Sequence, residues 1–227
     1  MLEYLRRALM AVVRQHQAAL VLAAIVLTAG IVTGALQVAR LDPSQQTQVG
    51  QYLDYLMATA PGARPGETEG VAAGAGDPDG APAGAAPWQP AVGGNLRQVA
   101  VAWAAGFLVL GLPVTLGVLF LHGYSLGFAV AAMAAHWQWR GLVVALAAVF
   151  PPNLLQLPAL ALVAAAATRL AVQVAASRVR RDLPTLASPW SPYLALGALA
   201  TLLALGAAWV EVVVAPALLG LTQRLVF

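Results

Sequence analysis

The chain predicts an all-α polytopic membrane protein of about five transmembrane helices, with a broken or short third segment and a long outer loop. Its residues are 60% hydrophobic and only 9% charged, whereas an ordinary soluble domain is about 25% charged. Apolar stretches of about 20 residues, long enough to cross a hydrocarbon core of roughly 30 Å, recur along it. One long interruption, residues 41–95, separates the first stretch from the rest.

Residues 1–17 set Leu2, Leu5, Leu9 and Val13 on one helical face, with Arg6, Arg7 and Arg14 elsewhere. That pattern suits an interfacial helix beside anionic lipid; a frayed start to the first span is the plainer alternative. The apolar stretch at 18–38 exceeds the 7–15 residues of a secretion signal, so it is predicted to stay as the first transmembrane helix. It contains Gly30-Ile-Val-Thr-Gly34, and glycines four apart admit a close neighbour. With residues 1–40 as the first unit, 41–95 is an extracytoplasmic loop and 96–227 holds transmembrane helices two to five.

Asp42-Pro43 reads as an N-cap followed by proline at the first helical position. Val49, Tyr52, Leu53, Leu56 and Met57 then recur at helical spacing, predicting an amphipathic helix over 43–58. Residues 61–94 are Pro, Gly and Ala with Glu67, Glu69, Asp77 and Asp79, a composition that predicts a disordered tether.

The second span is predicted over 96–121, kinked where Pro113 of Gly111-Leu-Pro113 removes a backbone donor. His122-Gly-Tyr-Ser-Leu-Gly127 reads as a tight reversal. The apolar residues that follow are too few for a full crossing before His136-Trp-Gln-Trp-Arg-Gly141 interrupts them. Residues 124–150 therefore form a broken crossing, a short crossing plus a surface helix, or a re-entrant pair. The fourth span covers 151–176 with Pro158 and Arg169 inside, and the fifth 193–215, which Pro216 closes or kinks.

Arg6, Arg7 and Arg14 precede the first span, and Arg178, Arg180 and Arg181 follow the fourth. Basic residues collect on the cytoplasmic side, so an even number of crossings separates the two clusters. Four satisfy this, which predicts five in all, with the N-terminus cytoplasmic and the C-terminus extracytoplasmic. The lipid bilayer is the first partner.

Glu211 is the one charge between Asp182 and Arg224, and a carboxylate at the centre of a membrane helix costs roughly 2.5–3.5 kcal/mol. Asn153 and Gln156 fall at the same outer end of the fold, with Arg140 in the outer break. The four form a candidate polar cluster in which Glu211 accepts from Asn153 or pairs with Arg140. The competing reading has Glu211 simply reaching the headgroups. His122 and His136 lack a second ligand at metal-binding spacing and read as interfacial. Trp137, Trp139, Trp190 and Tyr193 read as an aromatic belt, and Arg169 as a snorkelling residue.

Several classes are excluded or disfavoured. There is no cysteine, so disulfides and thiol catalysis are out. A net charge of +3 is too small and scattered to argue for nucleic acid. No nucleophile–base pair, phosphate loop, carboxylate dyad, metal set or cofactor motif is present, so the chain reads as non-enzymatic. All twelve basic residues are Arg, which with the Ala and Gly content hints at a GC-rich genome.

Several motifs in order resemble one family. They are the span ending Gly-Ile-Val-Thr-Gly34-Ala, Phe107-Leu-Val-Leu-Gly111-Leu-Pro113, and Phe120-Leu-His-Gly123-Tyr-Ser-Leu-Gly127-Phe128. Phe150-Pro-Pro-Asn153-Leu-Leu-Gln-Leu-Pro158 and Glu211-Val-Val-Val-Ala-Pro216 complete the series. The sequence resembles the stage II sporulation protein M family of bacterial membrane proteins over nearly its whole length, the insertion at 61–94 excepted. The matching residues are Gly34, Gly111, Pro113, Gly123, Gly127, Phe128, Pro151, Asn153, Pro158, Glu211 and Pro216; Gly30 joins them as a candidate helix contact. The resemblance implies a scaffold of the bacterial cell membrane that recruits and positions peptidoglycan-degrading partners during sporulation engulfment. It supplies no catalytic residues. The alternative is the membrane subunit of a transporter or permease working with a separate ATPase, which the kinked helices and buried acid favour. Self-association is open in both.

Overall fold

The computed structural model describes residues 17–59, 88–106, 111–180 and 190–226, and among them there is no strand. All but the last residue of the predicted interfacial helix at 1–17, most of the predicted tether at 61–94, and Arg181 lie outside the described residues.

The first helix, α1 (Gln17–Val38), carries no charge over its 22 residues. At 1.5 Å per residue it rises about 33 Å, the thickness of a hydrocarbon core. The chain then turns at Asp42. Gln45 Oε1 accepts from the Asp42 backbone N–H at 3.1 Å, one half of a capping box, and α2 (Pro43–Thr59) starts at the predicted proline. Gln46 Nε2 donates to the Leu41 carbonyl at 3.0 Å, so α2 also satisfies backbone just past the end of α1.

Helix α3 (Trp88–Ala105) begins inside the stretch predicted to be a tether. Helix α4 (Gly111–Trp137) runs unbroken for 27 residues, and here two expectations are corrected. His122–Gly127 is not a reversal, and the third segment is not short: its glycines serve helix contact instead of a turn. Pro113 does not kink a span at mid-length. It sits in the first turn of α4, where its missing N–H has no intrahelical partner to lose.

The contact is between α1 and α4. A Cβ on Gly30 would lie 2.3 Å from the Phe120 carbonyl oxygen, and one on Gly34 2.0 Å from that of Tyr124. Reciprocally, Gly123 and Gly127 meet the carbonyl oxygens of Leu27 and Ile31 at 2.5 and 2.0 Å. Both sets of contacts advance together along the two helices, so α1 and α4 are parallel and their backbones touch. The chain must therefore return the full length of the bundle between them.

That return is α3. Thr115 Oγ1, 1% exposed, donates to the Ala102 carbonyl at 2.9 Å, joining α3 to the start of α4 across the turn. Four helical stretches are long and apolar enough to cross a membrane: Gln17–Val38, Pro113–Trp137, Phe150–Val172 and Tyr193–Thr222. Helix α3 is a fifth, more polar segment beside them, carrying Asn95, Arg97 and Gln98.

Past Trp137 the chain breaks at Gln138, which holds φ 55° and ψ −130°, the sole positive-φ non-glycine among the described residues. Helix α5 (Trp139–Ala148) folds back on α4, with a Gly141 Cβ position 1.8 Å from the Met133 carbonyl oxygen. None of the three predicted forms for 124–150 holds as stated: residues 124–137 finish a complete crossing, and the short helix α5 follows it. Helix α6 (Phe150–Arg180) starts on Pro151-Pro152 and carries Pro158 inside it. It is the central helix: half of its spanning window is buried, against 17% for α1. Ala159, Leu160, Val163 and Ala164 form the core with Ala200 and Ala204 of α7 (Trp190–Trp209) and with Val99, Ala102 and Leu119. Small side chains here let four helices approach, where lipid offers no hydrophobic drive for larger ones.

Pro216 does not close the last span. The helix widens to a π turn at Val210–Val214 and continues as α8 (Ala215–Val226). Proline at 216 cannot donate to the Val212 carbonyl, and its ring would crowd that group. The wider turn, in which Ala215 N–H bonds the Val210 carbonyl, relieves both problems.

Candidate functional site

The helix directions gather the polar side chains at one end of the bundle, where α1 and α4 finish and α3 and α6 begin. Glu211 rides on the π turn, and its Oε2 accepts from Asn95 Nδ2 of α3 at 2.9 Å. Gln156, 1% exposed on α6, donates from Nε2 to the Asn95 backbone carbonyl at 3.3 Å. Asn95 thus ties α3 to both neighbours at one level. Gln156 Oε1 and Gln98 Oε1 are buried with no hydrogen-bond partner. At this seam the Glu211 carboxylate has a donor while the Gln156 Oε1 has none.

Asn153 lies three residues before Gln156 but bonds elsewhere. Its Nδ2 donates to the Val149 carbonyl at 2.7 Å, holding the turn between α5 and α6. Its Oδ1 sits 2.9 Å from His122 Nε2 of α4; with an oxygen there, the imidazole is the donor.

The predicted cluster is therefore corrected in detail. Glu211 accepts from Asn95, because α3 packs beside α7 and Asn153 is already engaged by His122. Arg140 is on α5, its guanidinium 5.9 Å from the centre of the Trp139 ring, in a cation–π arrangement. Gln156 meets Glu211 only through Asn95. Of the predicted contact glycines, Gly30, Gly34, Gly123 and Gly127 form the α1–α4 seam. Gly111 opens α4, Pro158 lies inside α6, and Pro216 follows the π turn.

Sequence reasoning missed Asn95. The predicted second span starts one residue later, although an asparagine two positions before Arg97 in an otherwise apolar stretch is a usable signal. The sequence predicts an interfacial His122, yet it lies well inside α4. Tyr193, read as a belt residue, is 2% exposed and donates its hydroxyl to the Trp103 carbonyl.

A second feature lies at the same end. Asp54 of α2 holds α4 with a single carboxylate oxygen, which accepts from His136 Nε2 at 2.9 Å and Trp137 Nε1 at 3.2 Å. Beneath, Leu53 packs with Val38 and Ala132, and Gly50 is buried where a Cβ would lie 2.8 Å from the His136 ring. The other face of α2, with Ser44, Gln45, Thr47, Gln48 and Gln51, is exposed. A cavity of about 410 Å³ opens under the helix, walled by Ala35, Ala39, Ala131 and Ala135 with Gln46 and His136. Among the described residues no three His, Cys, Asp or Glu side chains gather as a metal site would require.

Comparison with curated proteins and with solved structures gives no match in either set. The model of one family, described as stage II sporulation protein M, matches residues 19–216, a stretch that takes in most of each crossing, the α2 strap and the Asn95–Glu211 link. The chain belongs to the stage II sporulation protein M family.

Proposed function

We propose that this sporulation-related membrane protein is a non-enzymatic scaffold that positions peptidoglycan-degrading partners on the extracytoplasmic side, and that α2 is its docking surface. One observation carries the reading: an amphipathic helix is strapped across the ends of α1 and α4 by Asp54, with an uncharged polar face turned outward. The touching backbones of α1 and α4 make a stiff base for it. A rigid element that turns Ser44, Gln48 and Gln51 outward is a better docking surface than a loop, because less ordering is needed on binding. The arginine bias supports a reading with this end outside and the N-terminus in the cytoplasm. The direct test puts a photo-crosslinking residue at Gln48 or Gln51 in cells. Capture of a lytic transglycosylase-type or amidase-type hydrolase supports the scaffold; capture of lipid alone refutes it.

A transporter subunit is the second reading, favoured by the Glu211 π turn and the two unanswered buried amide oxygens. π bulges cluster at functional sites, and clustered acceptors suit a proton or cation. Flux in proteoliposomes that disappears with Glu211→Gln would favour it over the scaffold.

A further inference from the structure

Arg97 stands midway along α3 and is exposed on the surface of the bundle. Glu211 is also exposed, and its carboxylate has one neutral donor, Asn95. A charge at membrane depth costs about 2.5–3.5 kcal/mol unless it is paired or snorkels out, and Arg97 and Glu211 are two exposed charges of opposite sign.

Their depths agree. The Asn95–Glu211 bond sets those two residues level, and Arg97 is only about 3 Å further along α3 at 1.5 Å per residue. Helical side chains tilt towards their own N-terminus. Because α3 and α7 run in opposite directions, Arg97 leans towards the α2 end and Glu211 away from it, which brings the two heads closer in depth. They cannot meet within one chain: residues two apart on a helix point about 200° apart, so while Asn95 faces Glu211, Arg97 faces outward. Beside Arg97 on that surface are Gly93 and Gly94, where an added Cβ would meet nothing within 4 Å. Elsewhere in the bundle, Gly30, Gly34, Gly123, Gly127 and Gly141 each admit another backbone.

We propose that a second copy of this chain covers this face, the Arg97 of each copy pairing with the Glu211 of the other about a two-fold axis normal to the membrane. Unlike charges at one depth on neighbouring helices can satisfy each other twice in an isologous contact, where residue i of each copy meets residue j of the other. The bare glycines allow the second copy's helix to come close. Neither charge then faces hydrocarbon alone.

The test co-expresses two differently tagged full-length copies, captures one tag from gently solubilised membranes and measures recovery of the other. Unaltered copies should co-purify. Arg97→Glu in both copies, or Glu211→Arg in both, should lower recovery roughly ten-fold. Arg97→Glu in one copy with Glu211→Arg in the other restores both pairs across the axis, so recovery should return. A purely internal role for either residue would not give rescue between copies. Should a charge-reversed variant fail to insert, cysteines decide, since the chain has none of its own. Arg97→Cys in one copy and Glu211→Cys in the other should form a disulfide-linked dimer in native membranes, whereas Arg97→Cys with Val21→Cys should not. Unaltered copies that do not co-purify, correctly inserted variants without rescue, or equal cross-linking by both cysteine pairs would overturn the proposal.

Discussion

Asn95 Nδ2 meets Glu211 Oε2 at 2.9 Å across 116 positions of chain, and this bond joins the two most polar features of the membrane bundle. It gives the acid a donor and fixes the level of α3 against the π turn.

A double-mutant cycle measures it. Asn95→Ala and Glu211→Ala should couple by about 0.6 kcal/mol and by no more than about 1.7 kcal/mol, the average and the upper end for hydrogen bonds between membrane helices. Unfolding in lipid or mild detergent reads the coupling. Glu211→Gln keeps an acceptor oxygen and should stay close to the parent.

The α1–α4 seam predicts a contrast between glycines. Gly34→Val or Gly127→Val drives a side chain into backbone and should cost more than about 3 kcal/mol, with loss of folded protein. Gly117→Ala, where nothing lies within 4 Å, should be neutral or stabilising by up to about 1 kcal/mol, the helix propensity difference. Fluorescence-detected size-exclusion profiles separate the outcomes.

How far the sequence alone discloses this arrangement differs by element. The apolar runs disclose the helices, and Asp42-Pro43 discloses where α2 starts. The run His122–Gly127 misleads, because glycine and serine signal a turn in water, whereas between lipid-buried helices the same glycines let backbones touch. Polar residues hide α3: Asn95, Arg97 and Gln98 lower its hydropathy, and only the parallel pairing of α1 and α4 demands that it return. The chemical need of Glu211 for a partner is legible; the partner, 116 positions away, depends on packing that no local pattern records.

Asp54 anchors the strap, so Asp54→Ala should leave the transmembrane bundle intact and free α2. Amide exchange over α2 should quicken, while the α1–α4 seam keeps its protection, as expected of a locally opening unit. Hydrolase capture through Gln48 should fall with it.

Gln138 holds a backbone conformation natural to glycine. Gln138→Gly should stabilise the chain by about 1 kcal/mol, and Gln138→Val should destabilise it by at least as much. Thermal unfolding of the purified variants gives both signs.

Single-cysteine labelling tests the central claim, that α3 returns the chain between parallel α1 and α4 and leaves the strap outside. In intact cells a membrane-impermeant maleimide should label Gln51→Cys and should reach Ser188→Cys, between α6 and α7, only after permeabilisation. Equal labelling of both before permeabilisation, or labelling of Ser188→Cys alone, would contradict it.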